Sequence, residues 1–149
     1  MSTEAFKTVS DLQYIQEKIP HRSPFLWVDR IIDRAPDQLT TEKFIPEDLD
    51  IFEGHYPGYP ILPGVILCEA LFQSGALLIA ESMGQEPVGA PVVTRILKAK
   101  FKREVKPGDT IQMQVTLKEK VGPAWFLKGK VLVNSKIAVS LEFGCTLKT

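Results

Sequence analysis

The chain has 149 residues, 44% of them hydrophobic and 24% charged, and its 18 basic side chains equal its 18 acidic ones. That length and balance fit a single folded domain over residues 1–149, and zero net charge points to neither nucleic acid nor a membrane surface as partner. The opening segment "MSTEAFKTVSDLQYIQEKIP" lacks a basic start followed by an apolar run, so no secretory signal is expected.

In chain order, "DLQYIQEKI" predicts a short helix with Leu12, Ile15, Gln16 and Ile19 close to one face. "PHRSPF" stops it, and "FLWVDRII" reads as a strand rich in branched and aromatic residues. "APDQ" has turn chemistry, and "LTTEKFI" predicts a second strand. A Gly/Pro loop runs from about Pro46 to Pro63. Gly64 to Met83 then predicts a helix closed by Gly84, apolar on nearly all sides and therefore buried. Its longest apolar stretch, Val65 to Ala80, falls short of the roughly 20 residues a membrane span needs.

After the helix the period becomes two. In "RILKAKFKR", Leu97, Ala99 and Phe101 alternate with Lys98, Lys100 and Lys102. "PGD" turns the chain, and Ile111, Met113, Val115 and Leu117 form the next apolar row. "VGPA" and "NSK" punctuate two further rows, Trp125, Leu127, Val131, Val133 and then Ile137, Val139, Leu141, Phe143, Cys145. Such alternation predicts an antiparallel meander with one apolar face, which the long helix must cover. The expected class is α+β: one long central helix wrapped by an antiparallel sheet of about six strands.

The chemistry concentrates in "GHYPGYPILPGVILCEALFQ". Pro57, Pro60 and Pro63 stiffen a loop that can hold the His55 imidazole in one orientation, as a general base requires. Gly64 and Val65 stand at the helix start, where free N–H groups and the helix dipole would stabilise a carbonyl oxygen gaining negative charge. Glu69 follows roughly 7.5 Å along the axis, and Gln73 shares its face. A buried carboxyl there would have a raised pKa, suited to a general acid. His21 in "IPHRSPF" reads as a structural hydrogen-bonding residue. Cys68 and Cys145 form no CxxC pair and no metal-ligand spacing. They predict two reduced, packed thiols, no metal site and a cytoplasmic protein.

The quoted segment resembles the active-site segment of the β-hydroxyacyl-acyl carrier protein dehydratases of fatty-acid synthesis, the FabZ-type hotdog enzymes. The matching positions are His55, Tyr56, Pro57, Pro60, Pro63, Gly64, Val65, Glu69 and Gln73. "IPHRSPFLWVDRII" is similar to the family's early strand and "AKFKREVKPGD" to a late strand and turn, so the resemblance spans roughly residues 12 to 147. Two positions depart from the pattern: Tyr56 stands where Phe is usual, and Leu97 where many members have Asp.

The resemblance implies a hotdog fold and a (3R)-3-hydroxyacyl thioester as substrate, converted to a trans-2-enoyl thioester and water with no metal or organic cofactor. It implies that His55 removes the α-proton, that Glu69 protonates the departing hydroxyl, and that the Gly64 N–H donates to the thioester carbonyl, with Val65 and Gln73 in supporting places. Glu rather than Asp at position 69 favours dehydration without isomerisation. The resemblance further implies a homodimer whose site takes its His and its Glu from different subunits, commonly within a trimer of dimers. Acyl carrier proteins are acidic, and Lys98, Lys100, Lys102, Arg103 and Lys106, opposed by Glu104 alone, are the expected docking residues. The alternatives are another hotdog enzyme on acyl thioesters, an enoyl-thioester hydratase or a thioesterase, or a non-catalytic protein that binds an acyl chain or carrier.

Overall fold

The computed structural model describes residues 4–84 and 89–148. Helix α1 (Glu4–Lys18) leads into strands β1 (Arg30–Ala35) and β2 (Gln38–Phe44), a one-turn helix α2 (Ile51–Gly54) and the long helix α3 (Gly64–Met83). Strands β3 (Ala90–Phe101), β4 (Thr110–Val121), β5 (Ala124–Val133) and β6 (Lys136–Lys148) follow. The six strands form one antiparallel sheet in the order β1-β2-β4-β5-β6-β3. The expected hotdog architecture, a helix wrapped by about six antiparallel strands, is what the chain adopts.

Helix α3 packs against β2, β4, β5 and β6. Leu67, Leu71, Leu77 and Ile79 are buried against Met113, Val115, Leu127, Val131 and Phe143. Each such side chain contributes about 1.5–3 kcal/mol relative to exposure. By length and composition α3 passes for a membrane span, yet most of it is buried inside this sheet, as the sequence predicts for a core helix. Gly75 permits the close approach: a Cβ there would stand 2.6 Å from Phe143 Cζ. Inside the core, Ser74 Oγ donates to the Ala70 carbonyl at 2.8 Å and accepts from Thr41 Oγ1 at 2.7 Å, so no hydroxyl is stranded. At the far end of α3, Glu81 takes the Arg34 fork at 2.9 and 3.0 Å and the Tyr14 hydroxyl at 2.5 Å, tying α1 and β1 to the helix. Burial, and then the Glu81 carboxylate, push the Tyr14 phenol up to about 12.

Four expectations need correction. Residues 25–29 are not strand. The Gln73 side chain bonds Trp27 N–H and the Phe25 carbonyl, taking the backbone groups a strand would offer its neighbour, and β1 begins only at Arg30. Helix α1 is longer than predicted; Ile15 within it and Ile19 just past its end are buried, but Leu12 faces out. The meander covers β4 to β6 only; "PGD" closes no hairpin, because β3 pairs with β6 at the sheet edge. Finally, the apolar row of β3 is neither buried nor continuous. A bulge between Leu97 and Lys100, with Lys98 at φ 55°, breaks the alternation, and Ile96, Leu97 and Phe101 are exposed. Ile137 is only partly buried for a related reason: the β5–β6 register shifts so that Ala138 turns inward beside it.

Candidate active site

His55 caps α2, its N–H donating to the Ile51 carbonyl at 3.1 Å. The loop after it is tight: Tyr56 and Tyr59 exchange both backbone bonds, at 3.0 and 2.9 Å, and Ile61 N–H returns to the His55 carbonyl at 3.1 Å. His55 Nδ1 lies 2.9 Å from the Ile61 carbonyl oxygen. A carbonyl only accepts, so this contact assigns the proton to Nδ1 and leaves Nε2 with its lone pair free. The ring stacks on Tyr56 with centroids 4.0 Å apart.

Pro63 precedes the helix, and its carbonyl accepts from Ile66 and Leu67. The N–H groups of Gly64 and Val65 are the first of α3, where no intrahelical acceptor exists. Gly64 abuts the Phe101 ring, 2.9 Å from where a Cβ would stand, and the Val65 side chain is 71% exposed beside it.

Glu69, five residues further along α3, lies in a separate place. It lines a cavity of about 410 Å³ with His21, Phe72, Pro91, Val93, Ile96, Phe143 and Cys145. Gln73, fully buried, donates to Glu69 Oε2 at 3.0 Å. Burial raises the Glu69 carboxyl above its ordinary range, and the Gln73 bond only partly opposes this. His55 does not line this cavity, and among the described residues no hydrogen bond or ion pair joins it to Glu69. One chain therefore brings together Glu69 and Gln73, and separately His55 with the loop that leads to Gly64 and Val65.

The sequence assigns His21 a structural hydrogen-bonding role but no place at this site, and the structure puts it beside Glu69. The Arg22 guanidinium bonds the carbonyls of Gln16, Ile19 and His21 at 2.7–2.9 Å, capping α1 and fixing the turn that presents the imidazole. His21 Nε2 stands 3.7 Å from Glu69 Oε2. The only local signal was that it is one of two histidines in the chain.

A profile of the FabA-like domain family matches residues 19–142. The chain is 41% identical to the 3-hydroxyacyl-[acyl-carrier-protein] dehydratase FabZ of Cereibacter sphaeroides, over 99% of this chain and 97% of that one. The chain belongs to the FabA-like family, among its FabZ-type members. Its backbone superposes on the dehydratase heterocomplex ApeI:P from Xenorhabdus doucetiae with a TM-score of 0.77 over 91% of each chain, at 11% identity. The Escherichia coli PaaI protein from the phenylacetic acid degradation operon gives 0.66 over 99% and 97% of the chains, also at 11% identity. These two likenesses are of fold.

On this FabZ-type chain the basic cluster is split by the end of β3. Lys98 and Lys100 face a depression of about 420 Å³ on the outer side of the sheet, with Lys128 and Lys130. Lys98 pairs with Glu142 there at 3.6 Å. Lys102, Arg103 and Lys106 lie exposed in the link to β4. That link is pinned to the His55 loop by the Leu62 N–H to Val105 carbonyl bond, 2.7 Å, and by Tyr59 hydroxyl to Glu104 at 2.5 Å. Cys68 and Cys145 are free and buried, and burial pushes the Cys145 thiol up to about 11.

Proposed function

We propose that this chain eliminates water from (3R)-3-hydroxyacyl groups carried on acyl carrier protein, giving the trans-2-enoyl thioester in fatty acid biosynthesis. It is a hydro-lyase, and the observation that carries this is its whole-length relationship to a FabZ dehydratase.

The roles are those the family resemblance implies, and the geometry and chemistry support them. The free Nε2 of His55 takes the α-proton, and that C–H electron pair becomes the Cα–Cβ double bond. The Cβ–O bond breaks, and the hydroxyl leaves as water with a proton from Glu69. The Gly64 N–H, aided by the positive end of α3, stabilises the charge on the thioester oxygen. Burial shifts Glu69 toward the protonated form that must give the proton. His55⁺ and Glu69⁻ return to their starting states by proton exchange with water.

The site is completed between two copies, with His55 of one protomer facing Glu69 of the other. Support comes from the sheet edges. β1 is short and charged, with Arg30, Asp33 and Arg34, as protected edges are. β3 is 12 residues long and exposes Val92, Ile96, Leu97 and Phe101, an edge that pairing with a second copy would cover. Dimers assemble in threes in this reading. The acidic carrier docks on Lys102, Arg103 and Lys106 beside the helix entrance, with Lys98 and Lys100 on the adjoining face. The chain acts as one domain over 1–149 and works in the cytoplasm.

The test is turnover of carrier-linked 3-hydroxyacyl substrates, followed by enoyl formation and by free-thiol release. Wild type should form enoyl product without thiol. His55→Ala and Glu69→Ala should each stay folded and lose about 10²–10⁴-fold in rate. Near-normal turnover in either variant would overturn the assignment, and thiol release would mark a thioesterase.

A further inference from the structure

Two donors approach Glu69 and both address the same atom. Gln73 Nε2 lies 3.0 Å from Oε2 and His21 Nε2 lies 3.7 Å from Oε2, while Oε1 has no partner among the described residues. We infer that His21 is a positioning residue for Glu69: with Gln73 it holds Oε2, and so leaves Oε1 as the oxygen that carries the proton to the departing hydroxyl. The inference rests on the dehydratase reading for the final transfer, and on geometry alone for the hold on the carboxyl.

The tautomer follows from burial. His21 Nδ1 is buried with no hydrogen-bond partner. An N–H stranded there costs more than a bare lone pair, so the proton belongs on Nε2, the nitrogen that faces Glu69. Burial, and then the neighbouring Arg22 charge, hold the imidazole below its ordinary pKa, so near neutral pH it is an uncharged donor. A charged imidazolium would draw the proton off Glu69; a neutral N–H orients the carboxyl and leaves it able to stay protonated. The separation of 3.7 Å is longer than a hydrogen bond, and such contacts tighten when the reacting groups are bound.

The groups facing this pair are few. From α3 come Gln73 and Phe72; from β6, Phe143 and the neutral thiol of Cys145; from β3 and the residue before its bulge, Pro91, Val93 and Ile96. Among the described residues Arg22 is the charged neighbour of His21, and it is engaged with the carbonyls of Gln16, Ile19 and His21. In the proposed two-copy site His55 of a second copy would join them. Among the described residues no other hydrogen bond or ion pair reaches Oε2.

The experiment is a carbon-13 titration of glutamate side-chain carboxyls in the full-length protein, with the Glu69 signal assigned by its loss in Glu69→Gln. His21→Phe fills the same space without a donor. It should raise the Glu69 pKa by about half a unit to one unit, the worth of one net hydrogen bond to the charged form. His21→Gln, whose amide nitrogen reaches the Nε2 position, should restore the wild-type value, and the limb of the kcat–pH profile due to Glu69 should move and return in step. His21→Ala serves if the Phe variant does not fold. A Glu69 pKa indifferent to His21 in folded protein overturns the inference. Wild type that titrates as expected but dehydrates no 3-hydroxyacyl carrier overturns the dehydratase reading and leaves the hold on Oε2 standing.

Discussion

Gln73 and Trp27 are joined by a 2.7 Å bond from the Trp27 backbone N–H to the Gln73 side-chain Oε1, 46 residues apart in sequence. The same buried amide donates to the Phe25 carbonyl at 2.8 Å and to Glu69 at 3.0 Å. One side chain thus anchors the segment that carries the turn to β1 and orients the carboxyl. Gln73→Leu should cost about 2–4 kcal/mol, because it strands a backbone N–H and a carbonyl in the core. Urea unfolding measures it; a loss under about 0.5 kcal/mol would contradict the network.

Glu69 links stability to pH. Burial raises its carboxyl in the folded chain, so the folded state keeps a proton that the unfolded chain releases. Stability therefore falls as pH climbs from the unfolded carboxyl range, about 4.3, through the folded value. Glu69→Gln removes that slope and keeps an acceptor for Gln73. Relative to wild type the variant should gain stability as pH rises from about 4.3 through the folded value of Glu69. A difference constant across that window would mean the carboxyl is not strained by burial.

Gly75 tests the closeness of helix and sheet. An added methyl would sit 2.6 Å from Phe143 Cζ, and Phe143 is itself buried. Gly75→Ala should destabilise by about 1–3 kcal/mol through overpacking, outweighing the helix propensity gained. Thermal unfolding that rises instead would show that the ring can step aside.

The exposed face of β3 separates a monomer from an assembly. Val92 and Leu97 are 43% and 41% exposed in one chain. If the chain worked alone, Val92→Asp with Leu97→Asp would change stability by no more than about 0.5 kcal/mol per site and spare activity. The expected result is dissociation to monomers by sedimentation together with loss of dehydration.

Much of this was legible beforehand, and the exceptions share a cause. Helix α3 announced itself through Pro63, Gly84 and apolar residues all round, and β4 to β6 through alternation, because these signals are local. His55, Glu69 and Gln73 stood out by spacing and motif. What escaped depends on partners distant in sequence. "FLWVDRII" has strand composition, but Gln73 takes its backbone groups from α3. "RILKAKFKR" alternates on paper, yet its place at the sheet edge follows from pairing with β6. His21 comes to Glu69 only because the Arg22 cap turns the chain there, and no nearby residue advertises that contact.

The surplus residue in β3 sets a rule for how this gene can change. Three steps from Leu97 to Lys100 oppose two from Glu142 to Ser140, and after them Phe101 lies against Gly64. Swapping the side chains at 98 or 99 keeps that count. Deleting either codon would leave two steps against two, so Phe101 would keep Val139 as its partner and its seat against Gly64 while the kink at Lys98 is lost; this strand can be shortened by one word as well as respelled.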